Sequence, residues 1–297
     1  MRVFSAPLRI CGGSPYHAAL TLATLASLAI NLAATSPTYP GAETHVYREA
    51  EPEPVRLHVF KPEGWKPSDQ RPAYVRFFGG GWLHGSPDKS VGPARDAARQ
   101  GMVGIAPDYR VKERWPAADA TWSVADARRA VHWVQTHAAE LGVDPAKIIV
   151  AGTSAGAHLA LWTALHTTPA GLDPADAPAP PLAALILHCP PSDTSARTGV
   201  GSSRFHSPRP DDFSPFHHLD TVIPPVLLIH GDADALVPYA QSVALHQALI
   251  DSGNTCEFYT VPGGGHNYAG DVPSWKSKVP RLQQTFLENL NLLPVRP

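Results

Sequence analysis

Residues 147–156, KIIVAGTSAG, end an apolar run on Gly-x-Ser-x-Gly and lead into a small-residue segment, the pattern of a sharp strand-to-helix turn that exposes a nucleophile. A serine hydroxyl attacks poorly unaided, so Ser154 has chemistry only if the chain also supplies a base, a group that orients the base, and donors for an oxyanion. Gly152, Ala155 and Gly156 leave room for the strained backbone such a turn needs. The helix that follows would point its free N-terminal amides at the reacting atoms. The other role open to Ser154, a plain helix cap, needs none of these partners.

The partners can be sought downstream and upstream. In 226–238, VLLIHGDADALVP, two carboxylates follow a buried strand. Asp232 adjoins the turn glycine and suits a turn cap, whereas Asp234 lies further into the loop and is favoured as the orienting acid. In 259–266, YTVPGGGH, His266 sits on a glycine-rich loop after the last strand and is the candidate base. Upstream, 73–85 (AYVRFFGGGWLHG) ends a strand in three glycines, whose bare amides suit an oxyanion. Gly80 and Gly81 are the expected donors, with Ala155 as the third. Neither GxGxxG nor GxxxxGK[ST] spacing surrounds the triplet, which argues against a nucleotide loop. Trp82, beside the triplet, is a candidate substrate contact or a core residue. His158, four residues after Ser154, reads as a packing or hydrogen-bonding residue.

These residues must be carried by a sheet. Apolar runs at 55–60, 73–78, 103–106, 148–151, 182–188, 226–230 and 257–261 predict strands, and most are continuous rather than alternating, as in strands buried on both faces of a parallel sheet. Helices are expected at 93–100, 119–141, 155–166, 239–251 and 275–291, with Gly142 stopping the second. The fold class is therefore α/β: a mostly parallel sheet with helices on both faces. The connection 190–225 is long, rich in Ser, Pro, Arg and His, and lacks helical periodicity, so it is a candidate lid.

With 297 residues, 43% of them apolar, the chain can bury one large core without a second domain. A formal charge of −2 with no Lys/Arg run argues against nucleic-acid binding or adhesion to anionic membranes. No charged side chain occurs between Arg9 and Glu43, and residues 18–30 are apolar behind Arg2 and Arg9. Residues 1–42 thus read as a secretory signal and linker, with the catalytic domain at 43–297 and an exported address, periplasmic or extracellular. The apolar run is shorter than the roughly 20 residues a spanning helix needs, so stable membrane insertion is not expected. Cys189 and Cys256 would lie at opposite ends of parallel strands, which argues against a disulfide, and neither has metal-site spacing.

Taken together, FGGGW at 78–82, PDYR at 107–110, GTSAG at 152–156, HGDADALVP at 230–238 and GGGH at 263–266 make the chain resemble the α/β-hydrolase carboxylesterases of the hormone-sensitive-lipase type and their bacterial acetyl and feruloyl esterase relatives. The order Ser154, Asp234, His266 is that of α/β-hydrolases rather than of chymotrypsin or subtilisin. The resemblance implies an α/β-hydrolase fold and hydrolysis of short-chain acyl esters through an acyl-enzyme, with a small-molecule ester or acylated carbohydrate as substrate and no cofactor or metal. Phe78 stands where the family usually has a histidine, so a hydrogen bond that commonly braces the oxyanion loop is expected to be missing. The N-terminal helical cap of the lipase-type subgroup is also not expected. A peptidase or amidase of the same fold, or a non-catalytic binding protein on this scaffold, remain the alternatives.

Overall fold

The computed structural model describes residues 37–178, 182–207, 209–219 and 222–293. The expected leader lies mostly outside them. In chain order the elements are β1 (Glu43–Arg48), β2 (Val55–Phe60), β3 (Arg71–Phe77), α1 (Asp88–Arg99), β4 (Val103–Pro107), α2 (Ala120–Thr136), β5 (Val143–Thr153), α3 (Ala155–Ala164), β6 (Ala184–His188), β7 (Val226–Gly231), α4 (Ala240–Asp251), β8 (Cys256–Val261), α5 (Tyr268–Asp271) and α6 (Trp275–Asn289). The strands form one sheet ordered β1-β2-β4-β3-β5-β6-β7-β8. β2 runs antiparallel to both of its neighbours, and the pairings from β4 through β8 are parallel.

The continuous apolar strands have the expected cause. Val150, Leu185, Leu187, Val226 and Leu228 pack into the core on one face, while Ile149, Ala151, Ile186, Leu227 and Ile229 pack into the core on the other. Successive residues of a strand point to opposite faces, so both faces must be covered. On the first face lie α2, α3 and α4 through Val124, Leu159 and Leu245, and on the second α6 through Phe286 and Leu287. All ten residues of α3 are buried, which explains why it is apolar all round rather than amphipathic. Truncating a core side chain such as Leu228 to alanine would cost about 2–5 kcal/mol.

Several boundaries differ from those expected. α2 ends at Thr136, not 141, because the chain closes in turns in which the Val143 amide donates to the Ala138 carbonyl at 2.8 Å and Gly142 takes a φ of 62°. β1 was not foreseen, since its sequence ETHVYR is largely polar, buries only Tyr47 and is held by pairing to β2. Among its described residues the segment 190–225 carries three single 3-10 turns, at Ser202–Arg204, Pro210–Phe213 and Pro215–His218, too short to leave a periodic signature. Cys189 and Cys256 are both buried free thiols. Among the described residues no helix is long and apolar enough to cross a membrane.

The topology places the site. From β3 the chain passes to β4 on one side, then crosses to β5 on the other, so the order reverses at β3 and leaves a crevice beyond the carboxyl ends of these strands. Phe77 is in register with Gly152, Thr153 with His188, and Gly231 with Val261. The loops that follow β3, β5, β6, β7 and β8 therefore emerge along one edge.

Candidate active site

Ser154 occupies the turn between β5 and α3 with φ 56° and ψ −125°, a strained conformation for a residue with a side chain. The flanking glycines are dictated by contact distances. A Cβ on Gly152 would lie 2.1 Å from the Gly156 carbonyl oxygen, and one on Gly156 would lie 2.4 Å from the carbonyl oxygens of Phe77 and Phe78. The Ser154 amide donates to the His188 carbonyl at 2.8 Å, which ties the turn to the neighbouring strand.

Asp234 and His266 are brought together from the loops after β7 and β8. His266 Nδ1 lies 2.6 Å from Asp234 Oδ2. The other carboxylate oxygen accepts from the amides of Leu236 and Val237 at 2.8 and 2.9 Å. Burial alone would raise the Asp234 pKa; those two amides and His266 outweigh it and hold the carboxyl below its ordinary range. His230, in the HG pair before the loop, also reaches Asp234 Oδ2, at 3.0 Å, and accepts or donates at Ser242 Oγ, 2.6 Å from its Nδ1. Burial keeps His230 below the usual histidine pKa despite that carboxylate. This second histidine was missed from the sequence, where only its place in a strand was visible. Asp232 instead accepts from the Gly263 amide at 2.7 Å, bracing the loop that carries His266.

Ser154, His266 and the expected oxyanion residues Gly80, Gly81 and Ala155 all line one cavity of about 810 Å³ at the sheet edge. Among the described residues Ser154 Oγ has no hydrogen-bond partner, and contacts between such a hydroxyl and a base commonly tighten only with substrate bound. The Gly80 and Gly81 amides donate to no backbone carbonyl among the described residues. The Ala155 amide opens α3, where no intrahelical acceptor exists. Gly80 must be glycine, since a Cβ there would lie 1.8 Å from the His84 carbonyl oxygen.

Phe78 does not leave the glycine loop unsupported. Its ring stacks on Tyr109 at 4.0 Å, and the Tyr109 hydroxyl donates to the Phe78 carbonyl at 2.8 Å. The phenyl ring at position 78 supplies no hydrogen bond of its own, and the tyrosine of PDYR braces the loop through the backbone. The same motif is anchored below, where Asp108 pairs with Arg114 at 2.5 Å and Arg110 forks onto both oxygens of Asp126.

Trp82 lines the cavity but is only 2% exposed, packed edge-on to His158 and Phe205. His158 is fully buried, with Nε2 3.0 Å from the Phe213 carbonyl, so it ties α3 to the segment 190–225. That segment also contributes to the cavity wall: Thr198 to Gly201 and Arg204 line it, and Arg204 donates to the Gly81 carbonyl at 2.9 Å. Cys189, Asp234 and His266 bring their ligating atoms within 4.8 Å of one another. Burial pushes the Cys189 thiol up to about 12, so it is neither a ready thiolate ligand nor a rival nucleophile, and the acid and imidazole already bond each other. These residues fit an acid–base pair better than a metal centre.

A strained serine turn at the carboxyl edge of a parallel sheet, with this strand order, defines an α/β-hydrolase fold. The sequence profile of the BD-FAE family matches residues 57–179 and 195–249, and the chain belongs to that family. Esterase LipQ of Mycobacterium tuberculosis is 28% identical over 232 residues, 71% of this chain and 54% of LipQ; esterase LipC of the same organism is 28% identical over 235 residues, 69% and 56%. The chain thus spans about half the length of these relatives. Among solved structures, native esterase 2 of Thermogutta terrifontis is similar with a TM-score of 0.78 at 35% identity, covering 88% of this chain and 96% of that one. The same esterase phosphoramylated by tabun gives 0.77 at 36% identity, covering 88% and 98%.

Proposed function

We propose that the protein is a serine carboxylesterase that hydrolyses short-chain acyl esters through an acyl-enzyme. In this reading Ser154 attacks the ester carbonyl as His266 takes its proton. Asp234 holds the imidazole and stabilises its cation, and the Gly80, Gly81 and Ala155 amides receive the oxyanion. His266 then returns the proton to the departing alcohol, and a water molecule, deprotonated by the same imidazole, releases the acid. One observation carries the proposal: the serine turn, the 2.6 Å His266–Asp234 pair and unspent backbone amides converge on a single cavity. His230 acts as a positioning residue for Asp234.

The preference for short acyl groups is supported by the Thermogutta terrifontis esterase 2 structures described as propionate bound and butyrate bound. The ester is one of a sugar or an aromatic alcohol, and the uncharged stretch before residue 43 supports export. Initial rates across p-nitrophenyl acetate, butyrate and octanoate and methyl ferulate test the acyl class. Acetate and butyrate are expected to exceed octanoate; the reverse order refutes the short-chain reading. Trp82 enters this reading as a wall of the acyl site.

A further inference from the structure

The cavity at the sheet edge carries a charge pattern that ester hydrolysis by itself does not require. Its described lining includes Arg76, Lys89 and Arg204 and no Asp or Glu, although the chain as a whole has 26 acidic and 24 basic side chains. Among the described residues none of these three cations lies within ion-pair distance of a carboxylate.

Elsewhere the chain satisfies its partly buried arginines. Arg110 is bidentate on Asp126, Arg114 bonds Asp108 and Glu53, and Arg129 bonds Asp176. Even Arg128, buried and without an ion pair among the described residues, spends both terminal nitrogens on the Trp162, Leu165 and Thr167 carbonyls and the Thr168 hydroxyl, with only its Nε left unpartnered. Arg76 is different. Half-buried on β3, it has one good hydrogen bond, Nη2 to Thr153 Oγ1 at 2.7 Å, and a long one to the Tyr74 hydroxyl at 3.5 Å, while its Nε is buried without a partner. A guanidinium offers five N–H donors, so Arg76 keeps donors that no protein acceptor uses and that a bound anion could take.

We propose, resting on the esterase reading, that the natural substrate is an ester bearing a carboxylate, anchored by Arg76 and Arg204 beside the nucleophile. Arg76 contacts the residue that precedes Ser154, and Arg204 contacts the oxyanion loop at Gly81, so an anion held by either is one short molecule away from the reacting carbonyl. The planar guanidinium fork matches a carboxylate, and Lys89, exposed at the same cavity, adds attraction at longer range. Ala235 to Pro238, with Leu236 71% exposed at the rim, offer an apolar surface for the uncharged part of the ester.

The test uses two matched pairs of esters with the full chain. Mono-p-nitrophenyl glutarate against p-nitrophenyl valerate places the carboxylate on the acyl side; 3-acetoxybenzoate against phenyl acetate places it on the alcohol side. In at least one pair the anionic ester is expected to have the higher kcat/KM by about tenfold or more, the scale of one charge-assisted hydrogen bond. That advantage should shrink several-fold between roughly 20 mM and 500 mM salt while the neutral ester is unaffected. Arg76→Gln should lower the anionic-to-neutral ratio at least about fivefold and Arg76→Lys should largely restore it, with Arg204→Gln as an independent second variant. Neutral esters hydrolysed as well as or better than anionic ones in both pairs overturn this inference and leave the esterase reading standing. An unchanged ratio in both Arg76→Gln and Arg204→Gln also overturns it. Hydrolysis of none of the four esters overturns the esterase reading itself.

Discussion

Tyr109→Phe isolates the brace beneath the oxyanion loop. The substitution keeps the ring and its 4.0 Å stack on Phe78 and removes only the hydroxyl that donates to the Phe78 carbonyl. Phe78 and Tyr109 are 1% and 0% exposed, so no water replaces the lost donor, and an orphaned buried acceptor costs about 1–3 kcal/mol. For a domain of this size each kcal/mol lowers Tm by roughly 2–4 °C, giving an expected drop of about 2–12 °C. Catalysis should suffer separately, because Gly79, Gly80 and Gly81 follow Phe78 directly. Complete loss of one oxyanion donor costs about 10²–10³ in rate, so a loosened loop is expected to lower kcat by roughly 10-fold to 100-fold. KM should move by less than about twofold, since the lost interaction belongs to the transition state. Steady-state hydrolysis of p-nitrophenyl butyrate and a thermal melt measure both. A lowered Tm with unchanged kcat would refute the claim that Tyr109 holds the loop in its working geometry.

Gly152→Ala should destabilise the fold by about 3 kcal/mol or more, because its Cβ would meet a backbone oxygen at 2.1 Å that no side-chain rotation can relieve; an unchanged urea midpoint contradicts this. Asp234→Asn should lower kcat by about 10⁴ through loss of the imidazole's orientation and charge partner, measured with the same ester; a loss under tenfold points to another acid. The same variant has a pH signature. The folded-state pKa of Asp234 is depressed, so its stabilisation is complete above the ordinary carboxylate value near 4 and is lost as pH falls through the lower folded value. The Tm gap between wild type and Asp234→Asn should therefore narrow as pH drops from about 5 to 2, and a gap that widens contradicts the sign.

The parallel sheet was legible because β4, β6, β7 and the 148–151 part of β5 bury both faces and so read as unbroken apolar runs. The placement of Ser154, Asp234 and His266 along one edge of the sheet was legible because each follows the carboxyl end of a strand. β1 was not, because a polar edge strand owes its form to pairing with β2 rather than to its own pattern. The tie from Tyr109 to Phe78 spans 31 residues and that from His230 to Asp234 depends on how a loop folds back over its own strand, so neither leaves a spacing to recognise. The cation pattern of the cavity was likewise invisible, since Arg76, Lys89 and Arg204 come together only when β3, α1 and the segment 190–225 meet.

The most direct measurement of the central claim is covalent labelling of the nucleophile. Incubated with paraoxon, the wild-type protein is expected to gain one diethylphosphoryl group per chain, located by peptide mass spectrometry on Ser154, with loss of esterase activity in proportion to labelling. Ser154→Ala should take up none and retain the wild-type circular dichroism spectrum. Stoichiometric labelling of another side chain with parallel loss of activity, or full esterase activity in Ser154→Ala, would contradict the account.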